Sequence, residues 1–276
     1  MTNATQHNGT QLGNDEPPIY LTGVSNAYTR AAADEHYGRL GLLIGPDTGG
    51  GAGSKADYLP HIPSYARWAA DNGCFGHAGE FDEAAWLAML DRAVNTIDGA
   101  WDSCLFAVAP DVYDPKAGRG DAAATIERSL PVLPKIRALG IPAALVLQDG
   151  AQDLDIPWDA FDVAFVGGSD EFKLGYPTVR GAAAKASVYD RQNEQTIAWA
   201  RLLANCTLND KPIHIGRVNS LTRLIHAANV DAESVDGTFI AFGGEKNLGR
   251  ILGWYDQLAE GAEAAEEGLP LWQAAA

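Results

Sequence analysis

The chain has few cysteines and no histidine spacing typical of a metal site. Its three cysteines, Cys74, Cys104 and Cys206, are far apart and odd in number among 276 residues. A disulfide framework or a Cys-rich zinc site needs more thiols at closer spacing. We therefore expect no metal and no bound cofactor, and the cysteine usage favours a cytoplasmic protein.

Long apolar runs and an excess of basic charge are also absent. No apolar run reaches the roughly 18 residues that cross a bilayer, so the sequence predicts no membrane contact. Lys and Arg number 20 against 36 Asp and Glu, a formal net charge of −16. Because nonspecific binding to phosphate backbones depends on Lys and Arg, this charge balance argues against extensive nonspecific binding to nucleic acid.

Three segments differ in composition. Residues 1–18 are rich in Asn, Thr, Gln and Gly without a basic start or an apolar core, which predicts a flexible tail and not a signal peptide. Residues 19–258 carry a regular apolar pattern with no Pro- or Ser-rich linker, which predicts one domain. Residues 259–276 contain closely spaced glutamates and predict an acidic C-terminal tail.

Short apolar runs alternate with helical stretches along the predicted domain. Strand followed by helix, repeated about eight times, predicts an α/β protein with a (β/α)₈ TIM-type barrel. An open doubly wound sheet is the alternative that this alternation leaves open. The predicted strands cover residues 19–23, 40–44, 68–71, 105–110, 143–148, 163–167, 213–217 and 239–242. The predicted helices cover residues 81–96, 122–139, 194–204, 220–228 and 248–258.

Polar residues and glycines recur where these strands end. Strands need no carboxylate at their ends to fold, and the loops after parallel barrel strands build active sites. Any one of these residues is also a common turn former, so the set matters more than each member. The strand-end residues are Asp71, Asp111, Gln148, Gly167, Gly168, Arg217 and, near the last predicted strand, Asp236.

In their order along the chain, these segments resemble the motifs of the tRNA-guanine transglycosylase superfamily. The similarity is greatest to its phage-type branch, the DpdA (deoxypurine in DNA) proteins, and spans roughly residues 19–258. The matching segments are Asp-Asn-Gly-Cys-Phe at 71–75, Ala-Pro-Asp at 109–111, Leu-Gln-Asp-Gly at 147–150, Val-Gly-Gly-Ser at 166–169, His-Ile-Gly-Arg-Val-Asn-Ser at 214–220 and Ser-Val-Asp-Gly-Thr at 234–238.

The resemblance implies a pair of catalytic carboxylates. Asp236 would be the nucleophile that forms a covalent intermediate with the sugar, as in retaining glycoside cleavage. Asp71 would recognise the base and shuttle its proton, which requires a partly dry pocket that raises its pKa.

The same resemblance implies a frame that reads the base. Asp111 would accept from the guanine edge, Gln148 would contact the carbonyl side, and backbone N–H groups at Gly167 and Gly168 would complete the frame. Phe75 or Tyr113 would stack on the base, although either aromatic residue is also compatible with an ordinary core or rim position.

The implied activity is exchange of guanine in DNA for a 7-deazaguanine base, in a host cytoplasm if the chain is phage-encoded. The Cys-rich zinc site of the tRNA enzymes has no counterpart here, which favours the DNA branch. A homo-oligomer or a partner subunit that helps to bind DNA remains open. So do two other functions: a glycosidase or nucleoside hydrolase with the same carboxylates, and a noncatalytic binding subunit.

A local basic patch would reconcile DNA binding with the acidic chain. Scattered solvated charge is the other interpretation of the same residues. The candidate cations are Lys173, Arg180, Lys185, Arg191, Arg217 and Arg223.

Overall fold

Eight parallel strands form a closed barrel with helices between them, which confirms the predicted TIM-type fold. The computed structural model describes residues 16–51, 53–74, 80–114, 116, 119–175 and 187–266, with the backbone alone for 187–193 and 261–266. Around the barrel the strand order is β1-β10-β9-β8-β7-β4-β3-β2. The barrel strands are β1 (Ile19–Gly23), β2 (Leu40–Ile44), β3 (Trp68–Ala70), β4 (Cys104–Val108), β7 (Ala143–Leu147), β8 (Val163–Val166), β9 (Ile213–Ile215) and β10 (Ser234–Asp236).

A small antiparallel hairpin, nine α-helices and three single-turn 3₁₀ helices complete the described part of the chain. The hairpin consists of β5 (Tyr113–Asp114) and β6 (Arg119–Gly120) and follows β4. The helices are α1 (Ala27–Glu35), α2 (Glu83–Thr96), α3 (Ala100–Ser103), α4 (Ala122–Ser129), α5 (Leu133–Ala138), α6 (Asp170–Leu174), α7 (Ser187–Leu208), α8 (Leu221–Asn229) and α9 (Phe239–Glu266).

Side-chain caps fix where several helices begin. Asp82 accepts from the Ala85 amide at the start of α2, and Asp121 accepts from the Ala124 amide at the start of α4. Each acceptor satisfies an amide that has no partner within its own helix. The caps set the direction in which each helix leaves the end of the preceding strand or loop.

The eighth strand was predicted in the wrong place. Residues 239–242 begin helix α9, and the eighth strand is Ser234–Asp236. The apolar run at 239–242 packs as a helix, with Ile240 fully buried and the Phe239 ring stacked on Trp254. A three-residue strand with one apolar residue gives little sequence signal, so the prediction settled on the more apolar run beside it.

Helix boundaries also differ from the predictions. The predicted helix at 122–139 is two helices, α4 and α5, separated by residues 130–132. Pro131 lies at this break, where it has no amide to donate to a continuing helix. Helix α9 continues beyond residue 258 to Glu266 and bends at Gly244, which has φ 51° and ψ −136°.

The barrel interior and the layer outside it form two apolar clusters. Inside, a cluster of seven buried residues from five strands packs in the barrel. A larger cluster packs the helices on the outer faces of the strands. The interior residues are Leu21, Ala69, Phe106, Val108, Ala144, Val146 and Val163. Among the described helices, none is long and apolar enough to cross a membrane.

Candidate active site

A cavity of about 340 Å³ lies at the carboxyl ends of the barrel strands. This is the face at which TIM-barrel sites are built, because eight loops converge there. Phe75, predicted to stack on the base, lies outside the described residues, whereas Tyr113 lines the cavity. The predicted residues that line it are Asp71, Asp111, Gln148, Gly167, Gly168, Arg217 and Asp236.

Asp71 directly follows the buried strand β3 and turns its carboxylate towards the cavity. Its amide continues the ladder to the Ile44 carbonyl at 2.8 Å, and its Oδ1 accepts from the Gly73 amide at 2.8 Å. Burial raises the pKa of Asp71 to about 6, and the charges of Asp236 and Asp111 act in the same direction. Only the Gly73 amide opposes the shift, so this carboxyl titrates close to neutral pH.

Asp236 ends strand β10 and has two hydrogen-bond partners. Its Oδ2 lies 3.1 Å from Nε2 of His214, and its Oδ1 accepts from the Arg217 amide at 3.1 Å. Arg217 has φ 64°, a left-handed conformation that is uncommon outside glycine. The side chain of Asp236 is 14% exposed. Each oxygen therefore has one fixed partner, and the carboxylate still reaches the cavity.

His214 contacts the site, which the sequence did not predict. It is fully buried, and its ring nitrogens lie 2.9 Å from Ser234 Oγ and 3.1 Å from Asp236 Oδ2. The contact was missed because Ser234–Asp236 was not recognised as the strand beside His214. A histidine at an inward position of one strand, next to an inward carboxylate on its neighbour, would have been the signal.

Asn72 links Asp71's loop to Asp111. Its amide nitrogen donates to the Ala109 carbonyl at 2.8 Å and to Asp111 Oδ1 at 3.1 Å, while its oxygen accepts from the Cys74 amide. Burial raises the pKa of Asp111, and the Asn72 hydrogen bond opposes that rise. The Asn72 hydrogen bond therefore fixes one oxygen of Asp111, whose side chain lines the cavity.

Gln148 lines the cavity, and its amide nitrogen is hydrogen-bonded within the protein. That nitrogen donates to the Val112 carbonyl at 2.8 Å, to the Asp121 carbonyl at 3.3 Å and to Thr125 Oγ1. These bonds tie the end of β7 to α4 and to the segment before it. The base-reading role of Gln148 stays a prediction, and it would require the side chain to exchange some of these bonds.

The glycine pair after β8 allows the chain to pass close to Asp149. Gly168 has φ 79°, and a Cβ added there would lie 2.4 Å from Asp149 Oδ2. That oxygen accepts from the Ser169 amide at 2.9 Å and the Gly120 amide at 3.2 Å. A side chain at 168 would therefore break the connection between this turn and the β5–β6 hairpin.

Three of the predicted cations come together beside the cavity. Lys173 is buried, with Nζ 3.2 Å from Asp170 Oδ1, and Arg223 holds the other Asp170 oxygen at 2.5 Å. Burial lowers the pKa of Lys173, and the charges of Arg217 and Arg223 also lower it, while Asp170 opposes them. We call these three residues, Lys173, Arg217 and Arg223, the cation group.

The remaining predicted cations are Arg180, Lys185 and Arg191. Arg180 and Lys185 lie outside the described residues, and the side chain of Arg191 is not described. Within the described ranges, no set of three or more His, Cys, Asp or Glu side chains has the arrangement of a metal site.

No family model matches the chain, and no curated protein matches it either. Among solved structures, one described as native KDPGal is 10% identical with a TM-score of 0.51, covering 92% of this chain and 98% of that one. A mandelate oxidase variant with 2-hydroxy-phenylacetamide is 11% identical with a TM-score of 0.51, covering 90% and 72%. At such identities the likeness shows the barrel fold alone.

Proposed function

We propose that the protein is a base-exchange transglycosylase that replaces guanine in DNA with a 7-deazaguanine base. The observation that carries the proposal is that Asp71 and Asp236 face one cavity in different environments. Burial raises the pKa of Asp71 to about 6, whereas Asp236 is bonded to two groups that can donate to it. Base exchange at an anomeric carbon needs one carboxyl that carries a proton and one that attacks.

The two carboxylates come from different sides of the cavity, which suits attack by Asp236 on one side of a sugar and departure of the base towards Asp71 on the other. Strands β3 and β10 are separated by β2 and β1 in the circle of eight. A nucleoside between them would present the sugar to Asp236 and the base to Asp71. A cavity of about 340 Å³ is near the lower end of the size range for small-molecule sites.

The reaction would proceed in two displacements. An Asp236 oxygen attacks C1′ of the sugar, the bond from C1′ to N9 breaks, and guanine leaves with the bond's electron pair and a proton from Asp71. The incoming 7-deazaguanine gives its N–H proton back to Asp71 and attacks C1′. The bond between the sugar and Asp236 then breaks, which restores both carboxyl groups.

Asp111 is the residue best placed to read the base. Asn72 donates to one of its oxygens at 3.1 Å, and the carboxylate lines the cavity, where it can accept from the N–H and amino groups of a guanine edge. Because burial raises the pKa of Asp111, a ligand that donates two hydrogen bonds would favour its ionised form. Tyr113, also in the lining, offers an aromatic face for stacking.

The cation group supports a polynucleotide substrate in spite of the net charge of −16. Lys173 and Arg223 both pair with the Asp170 carboxylate, and the charge of Arg217 is close enough to lower the pKa of Lys173. A phosphate next to a flipped nucleotide would be attracted to this local positive charge. Flipping is required because the bond between base and sugar is not accessible within a duplex.

A nucleoside hydrolase is the second candidate, favoured by the acidic chain and the compact cavity. It would use the same two carboxylates, with water in place of the incoming base. Radiolabelled 7-deazaguanine supplied with a single-stranded guanine-containing oligonucleotide separates the two. Label in the polymer supports exchange, whereas release of free guanine without incorporation supports hydrolysis. Neither product, with binding retained in an Asp71→Asn, Asp236→Asn double variant, supports a noncatalytic subunit.

A further inference from the structure

His214 lies in the centre of the barrel, where packing alone would favour an apolar residue. Its strand alternates, with Ile213 and Ile215 in the outer core and His214 pointing inward. Its ring contacts Phe106 and Phe165, with centroids 4.8 and 4.5 Å away. Burying an imidazole among such rings is unfavourable unless both ring nitrogens are hydrogen-bonded.

Both nitrogens do have partners, and both partners belong to strand β10. Ser234 is the direct register partner of His214, and Asp236 lies two residues further along the same face. Nδ1 lies 2.9 Å from Ser234 Oγ, and Nε2 lies 3.1 Å from Asp236 Oδ2. In the pairing of a neutral imidazole with an ionised carboxylate, which only accepts, Nε2 carries the proton and Nδ1 accepts from the Ser234 hydroxyl.

We propose that His214, held by Ser234, is a positioning residue that orients the Asp236 carboxylate for attack on the sugar. The assignment rests on the proposed function, in which Asp236 is the nucleophile. The Nε2–H bond fixes Oδ2 while the Arg217 amide fixes Oδ1, so the plane of the carboxylate is set before substrate arrives. Preorganisation of this kind lowers the cost of reaching the reactive geometry.

Two substitutions at the same position separate positioning from packing. The amide nitrogen of Gln in His214→Gln reaches about as far as Nε2 and keeps the donor to Asp236, whereas the shorter amide in His214→Asn reaches only towards Ser234. We expect His214→Asn to lower kcat about 10- to 100-fold, as for loss of a hydrogen bond to a charged group, with little change in KM for the incoming base. We expect His214→Gln to stay within about 3-fold of wild type.

The outcomes of this comparison are distinct. A kcat for His214→Asn equal to that of wild type would overturn the assignment. Equal losses in both variants, with melting temperatures unchanged, would also overturn it, because the donor would then not be what matters. Ser234→Ala is the matched test of the second bond, and it should lower kcat by a smaller factor than His214→Asn.

A spectroscopic measurement does not depend on the reaction. Nitrogen NMR of histidine-labelled protein at neutral pH should show His214 with its proton on Nε2 and with Nδ1 unprotonated. In Asp236→Asn the nitrogen chemical shifts of the His214 ring should change, because an amide replaces the carboxylate beside Nε2. A proton on Nδ1 in wild type would contradict the assignment even if base exchange is observed. If wild type exchanges no base, the proposed function fails while the tautomer still tests the hydrogen-bond chain.

Discussion

Asp71 and Asp236 approach one cavity from strands β3 and β10, and the charge of Asp236 contributes to the raised pKa of Asp71. Burial is the larger cause. The consequence is an asymmetric pair, in which one carboxyl holds its proton to about pH 6 and the other is bonded to His214 and to a backbone amide. Such asymmetry is what acid and nucleophile roles require.

Asp71→Asn should stabilise the fold at neutral pH. The raised pKa means that the folded state holds the proton more tightly than the unfolded state does. The contribution of Asp71 to stability therefore falls as pH rises from about 4 to about 6, and then stays level. The difference between a pKa of about 6 and the ordinary value of about 4 corresponds to roughly 3 kcal/mol at most. Asn keeps an oxygen for the Gly73 amide.

Urea unfolding at pH 4 and pH 7.5 checks this prediction. The variant should exceed wild type in unfolding free energy at pH 7.5 and match it at pH 4, while losing base exchange. A difference that is the same at both pH values would contradict the assigned pKa.

Asp111→Asn should weaken recognition of guanine. The substitution replaces the second carboxylate oxygen with a group that cannot accept from both the N–H and the amino group of the base edge. We expect KM for the base to rise about 10- to 100-fold. Competition with hypoxanthine, which lacks the amino group, is the control. An unchanged preference for guanine over hypoxanthine in the variant would show that Asp111 does not read this edge.

Gln148→Glu should destabilise the fold strongly. The new carboxylate would face the Val112 and Asp121 carbonyls, which now accept from the amide nitrogen. We expect a loss of about 3 kcal/mol in unfolding free energy at neutral pH. Gln257→Glu is the matched control, because Gln257 is exposed and its amide donates to only the Gly253 carbonyl. Equal stability of the two variants would mean that the bonds of Gln148 contribute little.

Arg217→Ala should weaken binding of a single-stranded oligonucleotide and reduce its salt dependence. Loss of one phosphate contact lowers the slope of log affinity against log salt by about 1. Arg39→Ala makes the same charge change at the amino end of β2, away from the cavity, and should leave the slope unchanged. Equal slopes for both variants and wild type would exclude Arg217 from the DNA contact.

The sequence was sufficient to predict the barrel, and the strand-end residues that it singled out line one cavity. Asp71, Asp111 and Asp236 follow or end strands, and parallel strands bring their carboxyl ends to one face. The alternation of strands and helices in the sequence therefore predicted both the barrel and the face of the barrel at which these residues meet.

Side-chain partners could not be predicted in the same way. The bonds of Gln148 to Val112 and Thr125, and of His214 to Asp236, join residues far apart in the chain. They depend on strand register, and the strand that sets the position of Asp236 has only three residues. The apolar run that follows it had the stronger strand signal but forms the start of a helix, in which Phe239 packs on Trp254 and Ile240 packs in the outer core.

The most direct test of the account is to identify the residue that bears the sugar intermediate. Wild type and Asp236→Asn would be mixed with a guanine-containing oligonucleotide, denatured during turnover and mapped by peptide mass spectrometry. The account predicts a DNA adduct on Asp236 in wild type, none in the variant, and a loss of label incorporation of at least about 10³-fold. An adduct on another residue, or equal incorporation by the two proteins, would contradict it.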